Sequence, residues 1–435
     1  MREIIGIQVG RCGNSIGTKF WEVICEEHGI RPNGTYHGTS DLQIERIGVY
    51  FKETRENKYF PRAVVVDFDP DSSNMVLQST HRSLFLAKNS VFDRHSASSS
   101  WAKGFYGGGR KFIYQVFDVL RREAEKCDNL QGIDLIHSLG GGTGSGLGAL
   151  IIANVSEHYP KRYISTFSTF PSLKVLGVVT ESYNTAFSLK QLTENVDMAH
   201  CIDNEALHNI ARRLGNRRPN YDDLNHLASM VMSGITSFLR FHGKMRSDLC
   251  RLFNSMISFP RLHFLTPSFV SRDVGKIALC GVEIDDLIKQ VLHPHNMFAA
   301  CNPGHGRYLD ASAIFRGQIS LGMVESQISS VRNTLSPELF PNNLILNASK
   351  LPALGTKVSG TLLGNTTAIK EVFTRIEQQF ETMFRRRAFF HWYTCEGVEE
   401  AEFMEARDYM KGLISEYINC EELMYDESAY DMIDD

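Results

Sequence analysis

Residues 140–146 read Gly-Gly-Gly-Thr-Gly-Ser-Gly, directly after the apolar run at residues 133–139. Leu147, Leu150, Ile151, Ile152 and Val155 follow at helical spacing. The order is therefore strand, glycine-rich loop, helix. Gly140, Gly141, Gly142, Gly144 and Gly146 lack Cβ atoms, so backbone N–H groups can close around an anion. Ser138, Thr143 and Ser145 add hydroxyls, and the helix N-terminus adds partial positive charge. The reading is a phosphate cradle, set against a ligand-free glycine turn. The Walker pattern GxxxxGK[ST] is absent, so phosphate charge must be met by a metal or another cation. A rival reading is the dinucleotide fingerprint, formally matched by Gly144, Gly146 and Ala149. That fingerprint belongs to the first βα turn and wants an acid about 20 residues on. Here Thr166, Phe167 and Ser168 stand there.

The surrounding chain alternates in the same way. Residues 4–9, 62–68 and 163–170 read as apolar strands; residues 112–124 and the stretch through Phe20, Trp21 and Ile24 read as helices. Such alternation predicts a parallel sheet covered on both faces. Ligands of these sheets sit beyond the carboxyl ends of the strands. The loops after Val9, Phe68 and Leu139 should therefore converge. Residues 221–240 predict a connecting helix. Strands at 262–265 and 311–315 mixed with helices predict a second, α+β domain. Residues 376–417 read as mostly helical, with Phe403, Ala406, Met410, Leu413, Ile414 and Tyr417 in one stripe. Residues 421–435 hold seven acids and no base, which reads as a disordered acidic tail. The expected domains are 1–203, 204–370 and 371–435.

Composition narrows the class. With 435 residues, 43% hydrophobic and 22% charged, the chain is long enough for two or three domains of ordinary globular type. A net charge of −4 provides no global basic field for nucleic acid. The nine cysteines contain no C-x-x-C pair, which suggests reduced thiols in the cytoplasm. No run is apolar enough to span a membrane, and Met1-Arg2-Glu3-Ile4 opens a strand instead of a leader.

With these residues in view, the chain resembles a tubulin over essentially its whole length. The phrase GGGTGSG is that family's signature. Residues 17–23, 101–104, 201–207 and 389–393 resemble the β-type, as does the short segment between Asn347 and Gly364. The resemblance implies a GTP-binding domain, an intermediate domain and a C-terminal helical pair. It implies GTP or GDP with Mg2+ as cofactors, pairing with α-tubulin, and head-to-tail assembly into microtubules of the cytoskeleton. By position, Arg11, Cys12 and Asn14 match the first phosphate loop and Asp69 the magnesium side. Glu181 matches the ribose acid, Asn204 and Asn225 the guanine contacts, and Tyr221 the aromatic stacked on the base.

The departures bear on hydrolysis. Arg11 stands where the family has Gln, and Asp69 where it has Glu. Ser96-Ala97-Ser98-Ser99-Ser100 replaces a GAGNN loop facing the γ-phosphate. Gly177 replaces a ribose-contacting Asp, Ser15 replaces a Gln, and residues 270–281 diverge in the lateral-contact loop. Arg251 matches a β-type Lys at the longitudinal interface. No catalytic carboxylate is then expected in this chain; the next α-type subunit would supply it. The alternative is a non-catalytic or regulatory subunit that holds nucleotide structurally. The face of Glu399, Glu402, Glu405 and Asp408, together with the tail, would by resemblance meet motors and microtubule-associated proteins.

Overall fold

The structure, a computed structural model, describes residues 2–69, 76, 82–93, 96–172, 177–216, 218–242, 248–273, 284–319, 321–334 and 344–431. The first half alternates as expected. Strand β1 (Glu3–Val9) is buried throughout and runs directly into helix α1 (Gly10–Glu27). After the small hairpin β2 (Phe51–Glu53) and β3 (Tyr59–Pro61) come β4 (Ala63–Asp67) and β5 (Ser90–Phe92). Then follow α2 (Gly109–Ala124), β6 (Leu130–Ser138), α3 (Gly148–His158), β7 (Tyr163–Phe170), α4 (Glu181–Asn195) and β8 (Met198–Asp203). The near-continuous apolar strands are buried because helices cover both faces.

Helices α5 (Asn204–Arg213), α6 (Tyr221–Arg240) and α7 (Leu249–Met256) lead into the second unit. It contains β9 (Phe264–Asp273), α8 (Ile284–Leu292), β10 (Tyr308–Gly317), α9 (Leu321–Thr334), β11 (Leu344–Ser349) and β12 (Thr356–Thr366). The chain closes with α10 (Lys370–Arg385), the short α11 (Phe390–Thr394) and α12 (Glu400–Asp431). Both strands expected in this half are present and longer than the apolar runs alone suggested. The two sheets are one: in the order β11-β10-β12-β9-β8-β7-β6-β1-β4-β5, β9 pairs parallel with β8 through Ala199↔Phe264 and His200↔Leu265.

The acidic segment departs from expectation. It was predicted disordered, yet α12 continues through Asp431. Cys420 is buried, and Glu421 accepts from Thr367 and pairs with Lys370, which anchors the helix past the apolar stripe. Of the stripe, Phe403, Ala406, Met410, Leu413 and Tyr417 are buried and Ile414 is half-buried. Three acids of the outer face have partners within the chain: Glu402 accepts from Tyr106 at 2.7 Å, Glu405 from Lys190 and Asp408 from Arg407. Pro70, residues 274–281 of the lateral-contact segment and the last four residues lie outside the described residues. The described cysteines are free, and no described helix is long and apolar enough to cross a membrane.

Candidate functional site

Sheet order determines where a ligand can sit. From β1 the chain first moves outward to β4 and β5, then crosses to β6, β7 and β8 on the other side. Strand order thus reverses between β1 and β6, and these two are in direct parallel register. The crevice outside the carboxyl ends at such a switch point is the usual binding place in open α/β sheets. The first turn of α1, where a loop was expected after Val9, and the glycine loop after β6 flank it. They touch: Gly10 has φ +74°, and a Cβ there would stand 3.1 Å from the amide nitrogen of Gly144.

The glycines of the cradle have different roles. A Cβ on Gly144 would stand 2.6 Å from Ser138 O, and one on Gly142 would stand 2.6 Å from Ser100 N. A Cβ on Gly146 would collide with Trp101 O. A Cβ on Gly140 would press the Glu181 side chain at 3.1 Å. These glycines are small so that protein can pack against them. Gly141 differs, since nothing lies within 4 Å of its Cβ position. It is the cradle residue that borders open space. The helix beyond begins with a π-type turn, Thr143–Leu147, a feature common at functional sites. Ser145 is buried, and its hydroxyl donates to Gly141 O, so it shapes the loop from within.

Around the mouth, several polar atoms are enclosed. Asn14 is buried; its Nδ2 donates to Val66 O at 3.4 Å, while its Oδ1 has no protein partner. Cys12 stands two residues earlier on α1, and burial pushes its thiol up to about 11, so it stays protonated at neutral pH. Arg11 is exposed on the first turn of α1 and forms no ion pair among the described residues, with Asp69 or any other acid. Asp69 lies just beyond β4, its N–H donating to Asp67 Oδ1 at 3.3 Å. At the other flank Glu181 opens α4. Its Oε1 accepts from Val178 N at 3.1 Å, its Oε2 is buried without a protein partner, and burial raises its pKa.

The serine loop has a special backbone. Ser98 and Ser99 adopt φ of 48° and 57°, the left-handed region that favours glycine and asparagine. Lys103 Nζ donates to Ser98 Oγ at 2.9 Å. Two residues that sequence reasoning passed over hold this region together. Asn184 bonds the serine loop and the cradle at once. His137 lies beneath the cradle, with Nδ1 2.8 Å from Gly144 O and Nε2 2.9 Å from Ser168 Oγ. A carbonyl only accepts, so Nδ1 carries the proton and Ser168 donates to Nε2. Burial holds this imidazole down at about 4, hence neutral. His137 had a faint signal, a lone His in a mostly apolar strand; Asn184 had none, because its helix is rich in polar residues.

The remaining predicted residues fall into two places. Asn204 begins α5, whose N-cap Asp203 accepts from Glu205 N at 2.8 Å and pairs with Arg375. Tyr221 and Asn225 lie one turn apart at the start of α6, Tyr221 being 68% exposed. Asn220 and Asp223 form a capping box that fixes this start. Leu207, Leu224 and Cys12 meet in one apolar cluster, which ties these helix starts to the first turn of α1. Arg251 lies elsewhere. It lines a cleft of about 490 Å³ with Arg2, Lys161, Arg162 and Asp248, at the amino ends of β1, β6 and β7. Arg2 pairs with Asp248 there. The cleft is cationic and lies at the opposite end of the strands from the cradle.

Fit to a nucleotide follows from the enclosed atoms. The open space at Gly141 and the orphaned Asn14 Oδ1 and Glu181 Oε2 suit a ligand carrying phosphates and donor hydroxyls. No cluster of three metal-ligating side chains occurs among the described residues. Mg2+ is usually held by one or two carboxylates plus substrate phosphates and water. Asp67 ends β4, the strand beside β1, and Asp69 lies two residues beyond it. In comparison with known families, the model of the Tubulin/FtsZ family, GTPase domain, matches residues 3–212. That of the tubulin C-terminal domain matches residues 260–378.

Proposed function

The chain belongs to the tubulin family of guanine-nucleotide-binding cytoskeletal proteins, and from that premise we propose that it is a β-type subunit. It pairs with α-tubulin and assembles head to tail into microtubules. The observation that supports this most is polarity: a cradle with an open Gly141 at the carboxyl ends of the strands and a cationic cleft around Arg251 at their amino ends. In a head-to-tail stack the two ends face one another. Arg251 pairs with the phosphate of the nucleotide below and offers it no general base.

At the cradle end the roles divide. Backbone amides of residues 140–146, with Ser138 and Thr143, hold the phosphates, helped by Cys12, Asn14 and the nearby Arg11. Glu181 accepts from ribose hydroxyls, Asn204 and Asn225 read the guanine edge, and Tyr221 stacks on the base. Asp69 helps hold Mg2+, which when bound neutralises phosphate charge in the transition state. Hydrolysis is then positioning and charge stabilisation, completed by a carboxylate from the docked α-type subunit. The acidic α12 face serves motors and associated proteins.

A second reading, a subunit that holds nucleotide without hydrolysing it, is favoured by the serine loop. Lys103 is engaged with Ser98 at the place expected to face the γ-phosphate. One experiment separates the two: GTP turnover of the purified chain with and without an α-type partner, alongside pelleting. Turnover that rises with partner and polymer supports the first reading. Bound nucleotide with no turnover in polymer supports the second. Failure to bind GTP overturns both.

A further inference from the structure

The side chain of Asn184 is fully enclosed on α4. Its Nδ2 donates to Gly140 O at 2.7 Å and to Ser99 O at 2.9 Å. Its Oδ1 accepts from Trp101 N at 2.8 Å and from the Tyr393 hydroxyl at 2.6 Å. Two donors and two lone pairs are thereby all used. The orientation is unambiguous, because a flipped amide would aim its NH2 at the Trp101 N–H. Since the Asn oxygen cannot donate, Tyr393 must. Its phenol is buried on α11, which keeps it neutral, and its ring packs against Tyr183 and Phe187. Thr180 also donates to Ser99 O, at 3.2 Å.

This one amide joins three parts of the molecule. Gly140 begins the cradle, Ser99 and Trp101 belong to the serine loop, and Tyr393 belongs to the C-terminal helices. Ser99 needs such a hold, because its left-handed φ persists only where the surroundings over-determine it. We propose that Asn184 and Tyr393 are positioning residues of the phosphate site, so that the C-terminal helical unit sets where the Ser99 and Gly140 carbonyls point. With those carbonyls held toward Asn184, the neighbouring N–H groups are left to face phosphate. This rests on the reading that residues 140–146 hold a nucleotide.

The gentlest perturbation is Tyr393→Phe, which deletes one hydroxyl and leaves the aromatic packing. Tyr183→Phe is the matched control, since the Tyr183 hydroxyl is buried in the same cluster without a protein partner. The full-length chain, with its polymer partner, is loaded with N-methylanthraniloyl-GDP and chased with excess GTP. Tyr393→Phe is expected to release nucleotide roughly three- to tenfold faster, the span corresponding to one lost buried hydrogen bond. Tyr183→Phe should leave release unchanged. The stabilisation conferred by GTP in a thermal melt should shrink for Tyr393→Phe alone. Equal release for both variants, with melting lowered alike in the free and loaded states, would assign Tyr393 to packing and overturn the proposal. A parent chain that retains no nucleotide would overturn the cradle reading itself, and this proposal with it. Asn184→Asp tests the same point independently: two carbonyls would then face a carboxylate, and a release rate equal to the parent's would overturn the proposal.

Discussion

The glycine that borders open space gives the cleanest test of the cradle. Substitution at Gly144 is a poor probe, because a Cβ there stands 2.6 Å from Ser138 O and 3.0 Å from Ser138 N. Such overpacking against backbone destabilises by about 1–3 kcal/mol or more whatever the ligand does. Gly141 has no atom within 4 Å of its Cβ position and no left-handed φ. Gly141→Ala and Gly141→Val should therefore leave the nucleotide-free protein within about 0.5 kcal/mol of the parent, as open positions do. Reduced freedom of the unfolded chain can even add about 0.4–1 kcal/mol. The loaded protein should behave differently. A ligand present at a hundred times its dissociation constant stabilises by about 2.7 kcal/mol, and the valine should remove most of that. The assay is a pair of melts, without nucleotide and with saturating GTP, plus nucleotide content after gel filtration. If Gly141→Val keeps the full GTP-dependent shift and full nucleotide content, phosphate does not lie against this loop. Gly144→Val should lower both melts together and thereby expose the difference between a packing glycine and a ligand-facing one.

Other expectations follow from particular residues. Ser98→Gly should raise stability by about 1 kcal/mol in denaturant, with unchanged slope, because it removes a left-handed serine; no gain would mean that the bond from Lys103 already offsets the strain. Asp134 is buried in β6 beneath the Tyr50 hydroxyl at 2.8 Å, and burial raises its pKa to about 6. An acid whose folded pKa lies above its unfolded value favours folding at low pH and loses that contribution as pH rises through about 6. Asp134→Asn should therefore abolish a fall in stability between about pH 4 and 6 and add about 1–3 kcal/mol at neutrality; an unchanged pH profile would refute it. Removing the residues after Leu423 should weaken motor binding at low salt and leave nucleotide content intact, since attraction beyond roughly 8 Å is screened at physiological salt. The cut must spare Glu421, which bonds Thr367 and Lys370; equal motor affinity with and without the tail would dismiss the electrostatic role.

The parallel sheet and its strands were legible because they depend on local pattern; the strand order that makes the switch point was not. Apolar strands, glycine punctuation and helical spacing are short-range signals, and residues 163–170 and 221–240 match their elements end to end. Long-range packing was not legible. The sequence could not distinguish Gly141 from Gly144, because what crowds Gly144 is Ser138 folded back across the loop. Asn184 and Tyr393 are 209 residues apart, and no local rule joins them. The tail misled for a related reason. Its charge argues for disorder, but helix α12 is held by contacts to α10 and its approach that composition does not encode. The serine loop falls between these cases: its departure from GAGNN was visible, and the left-handed backbone that makes the departure costly was not.

The same distinction applies to the way the two halves of the sheet are joined. Helix α1 leaves the crevice at Gly10 and ends at Glu27; helix α6 starts at Tyr221 and ends at Arg240. Both ends meet in the interior. Glu27 accepts from Arg240 and from Arg316 of β10, each at 2.8 Å, with all three side chains essentially sealed from water. Burial alone would push the Glu27 carboxyl up, but Arg316 and Arg240 outweigh it and hold the carboxyl down at about 2. Ser233 donates to the same carboxylate, and Arg316 spends its other donors on Leu351 O and Pro352 O. Phe241 packs under both guanidiniums. Breaking such a buried pair strands a charge and typically costs about 3–5 kcal/mol. The two rods that begin beside the crevice are thus pinned at their far ends to β10, in the other half of the same sheet. Any shift of Gly10 or Tyr221 with nucleotide state must therefore be taken up at this node or passed into β10, because packed interiors deform little.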